Sequence, residues 1–140
     1  MAEVAYNAGK GRLLAGGIVA GSTNLRAAIV ITSKTGAADP DLATMAAIDA
    51  VGTVALHTQR VTLTGVTVTV DNANDRVNLD CADLAFTAAP GVSALALIIY
   101  DATTDTSDAT RIPLFFYDTG FPQPMDGGLN VAVADFARVA

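Results

Sequence analysis

The segment between Arg60 and Arg76, RVTLTGVTVTVDNANDR, constrains the fold more than any other part of the chain. Threonine alternates with valine or leucine on both sides of Gly65, and β-branched side chains of this kind suit a pleated strand. The polar residues that follow favour a turn, because Asn and Asp side chains bond to their own backbone. We therefore predict a hairpin in which Val66–Val70 pairs with Val77–Cys81.

The apolar residues of this segment change parity at Gly65. Val61 and Leu63 occupy odd positions, whereas the valines of residues 66–70 occupy even positions. Because a shift of one residue moves every side chain to the other face of a strand, the pattern predicts a bulge or a turn at Gly65.

Four further segments have strand patterns. The alternation in Leu25–Ile31, with Arg26 on the polar face, indicates a half-buried strand. The almost continuous apolar run Val92–Tyr100 predicts a central strand that is covered on both faces. Ile112–Tyr117 and residues 129–133 then return as strands, the second of them as the last strand of the fold.

The remaining segments are predicted to be loops or short helices. Residues 101–110 are polar enough to form a solvated loop, and residues 120–128 form a loop rich in proline and glycine. Asn7 is predicted to cap a helix that runs to Leu14. Asp39 is predicted to cap a second helix that begins at Pro40 and ends before Gly52.

Six to eight strands separated by turn signals predict an all-β fold, an antiparallel β-sandwich or barrel with one or two short helices. The 140 residues suit one domain, 1–140, with a short N-terminal arm of about residues 1–6. Hydrophobic residues make up 51% of the chain and aromatic residues only 6%. The core is therefore expected to consist mainly of aliphatic side chains.

Charge and composition argue against several classes of partner. The formal net charge is −6 and the eight Lys and Arg residues are scattered, so we expect no nucleic-acid binding. Every apolar run is far shorter than the roughly 20 residues of a membrane helix, so we expect no membrane partner. Cys81 is the only cysteine, which is typical of a chain made in a reducing compartment. Glycines interrupt the weak signal-like run Leu13–Ala20, so secretion is not expected.

Few residues offer chemistry. His57 is the only histidine and has no Cys or His nearby in the sequence, so we interpret it as a strand residue near a sheet edge. Cys81 lies on the apolar face of the hairpin and is expected in the core. The Gly9-Lys10-Gly11 stretch lacks the spacing of a phosphate-binding loop.

The acidic residues suggest turns more than metal sites. Asp71 and Asp75 lie in the hairpin turn, and the order of ligands required by a calcium loop fails at Ala73. A second group, in the 101–110 loop, is expected to serve solubility, with a weak structural ion as the alternative: Asp101, Asp105 and Asp108. We therefore predict no catalytic residue, no metal site and no cofactor.

Three segments carry a resemblance to a known family: YNAGKGRLLAG near the N-terminus, LTGVTVTVDNANDRVNLD in the middle, and GFPQPMDGGLNVAV near the end. The chain resembles small structural proteins of tailed-bacteriophage virions. The matching features are the Tyr6–Gly9 segment, the Leu63–Arg76 hairpin, and the Gly127–Gly128 turn before the last strand. Residues 39–54 and the tail after Ala132 depart from the family pattern.

This resemblance implies a capsid decoration, or cement, protein on the outside of the virion, synthesised in the host cytoplasm. Its implied partner is the major capsid protein, and its implied assembly is a homo-oligomer, with a trimer favoured. We expect capsid or subunit contacts at the N-terminal arm and at the 121–125 loop, both of which offer apolar groups outside the strands. The residues are Tyr6, Phe121, Pro122 and Met125.

Other functions stay open at this point. The same composition suits another virion component, such as a head fibre base, a tail tube protein or a head-tail adaptor. A domain that binds a ligand or a glycan is a second class, although only three Tyr and five Phe are available to line a groove. An enzyme that uses His57 is the third.

Overall fold

The computed structural model of the protein describes residues 4–103 and 107–139. Within them the chain is mainly strands, paired antiparallel in four sheets, with two short helices. The predicted all-β fold is confirmed. The strands are β1 Val4–Ala5, β2 Leu25–Ile31, β3 Ala55–Thr62, β4 Thr67–Asp71, β5 Arg76–Asp80, β6 Leu84–Phe86, β7 Ser93–Ala94, β8 Ala96–Asp101, β9 Ile112–Tyr117, β10 Gln123–Pro124, β11 Leu129–Val131 and β12 Ala137–Val139; the helices are α1 Asn7–Leu14 and α2 Met45–Asp49.

The centre of the fold is a five-stranded sheet in the order β1-β9-β8-β2-β3. Every residue of β8 is buried, and β8 lies between β9 and β2. The predicted central strand is thus confirmed, with one interruption at Leu95, before which β7 pairs with β10. Such a continuous apolar run is expected only where both faces of a sheet are covered.

Two clusters of buried side chains cover the two faces of this sheet. Ala27 and Ile29 of β2 belong to one cluster, which packs against the three smaller sheets. Ala28 and Val30 belong to the other, which packs against residues 37–54, including α2. The prediction of a half-buried β2 is therefore wrong, because alanine at an even position is small enough to be buried beneath a second layer.

The predicted hairpin is confirmed as β4 and β5, with Thr69 opposite Asn78. Gly65 has a φ of +63° and lies at the bend between β3 and β4, which confirms the predicted break. The apolar face of the hairpin is buried far from the turn and becomes exposed close to it. Leu79 is 3% exposed, whereas Val68 is 38% and Val70 is 65% exposed. Alternation alone therefore does not mark a buried face here.

The first helix ends at Leu14 as predicted, but it begins one residue early, because its N-cap is Tyr6 and not Asn7, and no side chain caps it. The Asn7 side chain instead donates to Asp41 Oδ1 at 2.7 Å. The second helix is shorter than predicted and begins after Thr44, whose hydroxyl accepts from the Ala47 amide. Asp39 caps a separate turn instead.

Two predictions near the ends of strands are wrong. Asp101 was expected in a solvated loop, but it is 3% exposed and pairs with Arg12 across 2.5 Å. Asp105, in the same loop, lies outside the described residues. The strand at 129–133 is shorter than expected, and it is followed by β12, which pairs with β5.

Candidate functional site

Two of the four predicted contact residues belong to the core. Tyr6 has no exposed surface, and its hydroxyl donates to the Ala37 carbonyl oxygen at 2.5 Å. Met125 is also fully buried. The expectation that both present apolar groups at the surface is therefore wrong. The reason in the first case is that β1 pairs with β9, which makes the last residues of the predicted arm part of the sheet.

The other two predicted residues are at the surface. Phe121 is half-buried, and Pro122 is exposed. The peptide bond between them is cis. The Phe121 amide donates to the Asp118 carbonyl oxygen at 3.1 Å, which holds the start of the loop in a turn. The first residues of the predicted 121–125 loop are thus accessible to a partner, whereas its last residue, Met125, is buried in the core.

Phe121 lies between two adjacent depressions, which we call the Phe121 groove. The first has a volume of about 340 Å³ and is lined by β8, Tyr117 and the segment after β11. The second has a volume of about 310 Å³ and is lined by Gly120, Gln123 and β11. Both depressions share Phe121 and Val131. Phe121 is therefore a wall of the groove.

The groove is mainly apolar. Its floor includes Leu97 and Ile99 of the central strand, and its far wall is Phe136, which packs with its ring centroid 6.0 Å from that of Phe115. The Tyr117 hydroxyl donates its proton to the Phe136 carbonyl oxygen, so it does not donate to a ligand in the groove. Burial raises the pKa of Tyr117, which keeps this hydroxyl protonated.

The second accessible surface is the β4 edge, residues Thr67–Asp71. This strand is the outer member of the sheet β12-β5-β4, and four of its five residues are exposed. Proteins commonly protect such an edge with lysine, proline or a bulge. The sequence of this strand, TVTVD, contains neither lysine nor proline, and its pairing with β5 is regular. The edge can therefore accept another strand.

His57 and Cys81 are where the sequence placed them. His57 lies in β3, at the edge of the five-stranded sheet, and its Nδ1 accepts from the Gln59 amide at 3.2 Å. Cys81 is 6% exposed and part of the core. Burial, with the nearby carboxylates of Asp80 and Asp83, raises the pKa of the thiol to about 11. This environment does not favour a nucleophilic thiolate.

The polar turn is held by its own side chains. Asp71 accepts from the Asn74 side chain at 2.8 Å and from Arg76 at 3.0 Å, and these bonds lower the pKa of its carboxyl group. Lys10 of the Gly-Lys-Gly stretch lies on α1 and donates to Asn7 Oδ1. Among the residues that the structure describes, no group of three or more His, Cys, Asp or Glu side chains could hold a metal ion.

Sequence reasoning missed one wall of the groove, the segment 131–136. Its residues were assigned to a final strand and a tail, but the chain turns after Val131, and Asp135 has a φ of +57°. The one local signal was Phe136, an isolated aromatic residue in a tail that otherwise consists of Val, Ala, one Asp and one Arg.

Comparisons with models of protein families, with characterised proteins and with solved structures returned no match. None of the helices in residues 4–103 and 107–139 has the length and hydropathy that a membrane crossing requires.

Proposed function

We propose that this protein is a structural component of a tailed-bacteriophage virion, a decoration protein that binds the outer surface of the major capsid protein lattice. The observation that carries the proposal is a coincidence at one hairpin. Leu63–Arg76, the longest segment of the family resemblance, contains the β4 edge, an exposed and unprotected strand. An exposed strand edge that could bind a partner and the longest segment of the resemblance are therefore the same element.

The physical properties of the chain support a binding role over a catalytic one. An exposed strand edge can bind a partner through main-chain hydrogen bonds, and the apolar Phe121 groove is a second surface that can bind side chains. A net charge of −6 opposes contact with packaged DNA and favours a position on the outside of the shell. We propose that the protein acts there as a homotrimer after synthesis in the host cytoplasm.

Stabilisation of the head follows from linkage. A protein that binds only the assembled shell adds its binding free energy to that state, and the contributions of many copies sum. Each copy can therefore bind weakly and the shell still gains substantially.

The decisive experiment combines imaging with a binding assay. We expect particle images to show this protein distributed over the shell in hundreds of copies. Because a lysine disfavours strand addition at an edge, Val70→Lys should weaken co-sedimentation with undecorated capsids about tenfold or more. Val19→Lys, at another valine that is 57% exposed, is the matched control and should bind normally.

Other results would lead to other conclusions. Density at a single vertex, with about a dozen copies, would indicate a head-tail adaptor or a fibre base. Absence of the protein from mature particles would reject the virion proposal altogether.

The Phe121 groove favours a second candidate, a domain that binds an apolar ligand or a glycan. Its volume of about 340 Å³ lies at the lower end of the range of ligand pockets, roughly 300–1,000 Å³. Ala132→Trp should fill this groove without disturbing the β4 edge. Loss of binding to a small ligand in this variant, with normal capsid binding, would separate the two functions.

A further inference from the structure

The first depression of the Phe121 groove is a recess that reaches the central strand. Its floor residues Leu97 and Ile99 are 3% and 0% exposed, whereas Ala132 on the opposite wall is exposed. The recess therefore runs inward from the segment 131–136 to β8. An apolar cavity of roughly 150 Å³ is enough to hold benzene. With about 340 Å³, this depression has room for a larger ligand.

Several polar groups of the first depression are already bonded within the protein. The Tyr117 hydroxyl donates to a main-chain carbonyl oxygen. The amides of Val133 and Asp135 donate to carboxylate oxygens outside the depression, at 2.9 and 3.2 Å. The other walls are mainly aliphatic and aromatic side chains. A ligand in this depression therefore meets carbon atoms on most sides and gains few hydrogen bonds.

The second depression differs, because uncharged polar side chains line it. Asn130 of β11 and Gln123 of β10 are both part of its wall, and both are exposed. The Gln123 amide nitrogen donates to the Gly120 carbonyl oxygen at 2.7 Å, which holds this side chain in place. The Asn130 amide offers two donors and an acceptor. An apolar compartment thus adjoins a neutral polar one.

The charges around the groove favour an uncharged ligand. Among the described residues that line the two depressions, none is Lys, Arg or His, so an anion finds no cationic partner. The net charge of −6 also repels an anion. The carboxylate of Asp135, on the wall of the first depression, is already paired with Arg138 at 3.0 Å. A cation therefore gains little from it.

We propose that the Phe121 groove binds a small uncharged amphiphile, a free molecule with an apolar part and one hydroxyl or amide group. The apolar part fills the first depression against Leu97 and Ile99, and the polar group bonds to the Asn130 side chain in the second. A glycan is polar along its whole length, so burying it in the first depression would leave its hydroxyl groups without partners. The proposal rests on the second candidate function and narrows its ligand class to exclude glycans.

A series of straight-chain alcohols tests the ligand class. Calorimetric titration from 1-butanol to 1-octanol should show affinity that rises about fourfold with each methylene until the depression is full. Octanoate has the same number of carbon atoms as 1-octanol and one negative charge, and it should bind about tenfold or more weakly. Methyl glucoside, a sugar without the chain, should not bind measurably. No binding of any alcohol, or binding of octanoate or methyl glucoside as tight as that of 1-octanol, would overturn the proposal.

A tryptophan introduced at the groove reports its own position, because the chain contains no other. Ala132→Trp should fill the groove, abolish 1-octanol binding and show the short-wavelength emission of a buried indole. Ala73→Trp, in the exposed turn of the hairpin, is the matched control. It should show the emission of an exposed indole and bind 1-octanol normally. A buried indole in Ala132→Trp together with unchanged 1-octanol binding would overturn the proposal.

A second variant tests the polar compartment and does not depend on filling the groove. Asn130→Ala, at an exposed position, should weaken 1-hexanol binding roughly two- to tenfold, the worth of one hydrogen bond. Toluene has no polar group and should bind this variant as it binds the original protein. The NMR signals of the Leu97 and Ile99 methyl groups should shift with either probe. Equal effects of the variant on both probes, or shifts confined to other methyl groups, would contradict the proposed site.

This site and the virion proposal fail separately. Capsid binding is assigned to the β4 edge, and amphiphile binding to the Phe121 groove. A protein that binds 1-octanol but does not co-sediment with capsids would keep the groove site and reject the virion proposal. Co-sedimentation without any alcohol binding would do the reverse.

Discussion

At the scale of single residues, burial decides whether a side chain can react, and burial cannot be read from the residue type alone. Cys81 and Asp101 look alike in sequence, as isolated reactive or charged side chains at strand ends. In the structure the thiol packs among aliphatic residues, and the carboxylate accepts from the Thr103 amide at 2.8 Å as well as from Arg12. Neither group is free to react, and both are structural.

We predict that Cys81 makes folding sensitive to alkaline pH. Burial raises the pKa of the thiol from 9.0 to about 11, so between these values the unfolded chain loses a proton that the folded chain keeps. The contribution to stability is complete below the lower value and is lost as the pH rises through the higher one. Urea titrations of the original protein and of Cys81→Ala, from neutral pH upward, should show a shallower alkaline loss in the variant.

A thiol reagent provides an independent check. At mildly alkaline pH the folded protein should react slowly and the urea-unfolded chain rapidly. Fast reaction of the folded protein would contradict the buried, protonated thiol.

At the scale of elements, local sequence fixed the position of α1 but not its packing. Gly9 and Gly11 are both inside this helix, and by propensity alone each weakens it to the same degree. The structure separates them. A Cβ at Gly9 would lie 2.6 Å from the Leu114 backbone, whereas nothing lies within 4 Å of a Cβ at Gly11. Gly9 permits close contact between α1 and β9, and Gly11 faces solvent.

We therefore predict opposite effects for two identical substitutions. Gly9→Ala should lower the free energy of unfolding by about 1–3 kcal/mol, because the rigid backbone of β9 cannot move away. Gly11→Ala should raise it by about 0.5–1 kcal/mol, because alanine favours the helix. Urea denaturation of both variants provides the measurement, and each serves as the other's control. Stabilisation by both would mean that α1 does not pack on β9.

The second helix shows where element prediction failed. Asp39, followed by Pro40, has the sequence of a helix start, but its carboxylate accepts from the Asp41 amide and closes a turn. Thr44 then begins the actual helix. Both residues are good caps, and the choice between them depends on contacts with distant chain: the Met45 amide donates to the Arg111 carbonyl oxygen at 3.0 Å.

At the scale of the whole molecule, the fold is a central sheet with a cover on each face, tied together by a few long-range polar contacts. The pair between Arg12 and Asp101 joins α1 to the end of β8 across 89 residues of sequence. Its carboxylate is almost fully buried, with 2% of the side chain exposed. The pair between Lys34 and Asp118, in contrast, is largely exposed.

We predict that these two ion pairs differ in their contribution to stability. Asp101→Asn should lower the free energy of unfolding by about 1.5–3 kcal/mol, because it removes a buried hydrogen bond between charged groups. Lys34→Ala, the exposed control, should change it by about 1 kcal/mol or less. Thermal unfolding at low and high salt checks both values. Equal losses would show that burial of Asp101 does not strengthen its pair.

The sequence by itself determined the local structure: the hairpin and its turn, the break at Gly65, the central apolar strand and the end of α1. These features depend on periodicity and on bonds between residues close in the chain, so a short window contains the necessary information. The resemblance to virion proteins has the same local basis, and its functional implication stays a prediction.

Only the tertiary structure decided which surfaces are buried and which are open. It buried Tyr6, Asp101 and Met125, left the valines of β4 exposed, and built the Phe121 groove from segments that are far apart in sequence. The physical reason is that burial and local charge depend on what packs against a residue, and at these sites the packing partners come from distant parts of the chain.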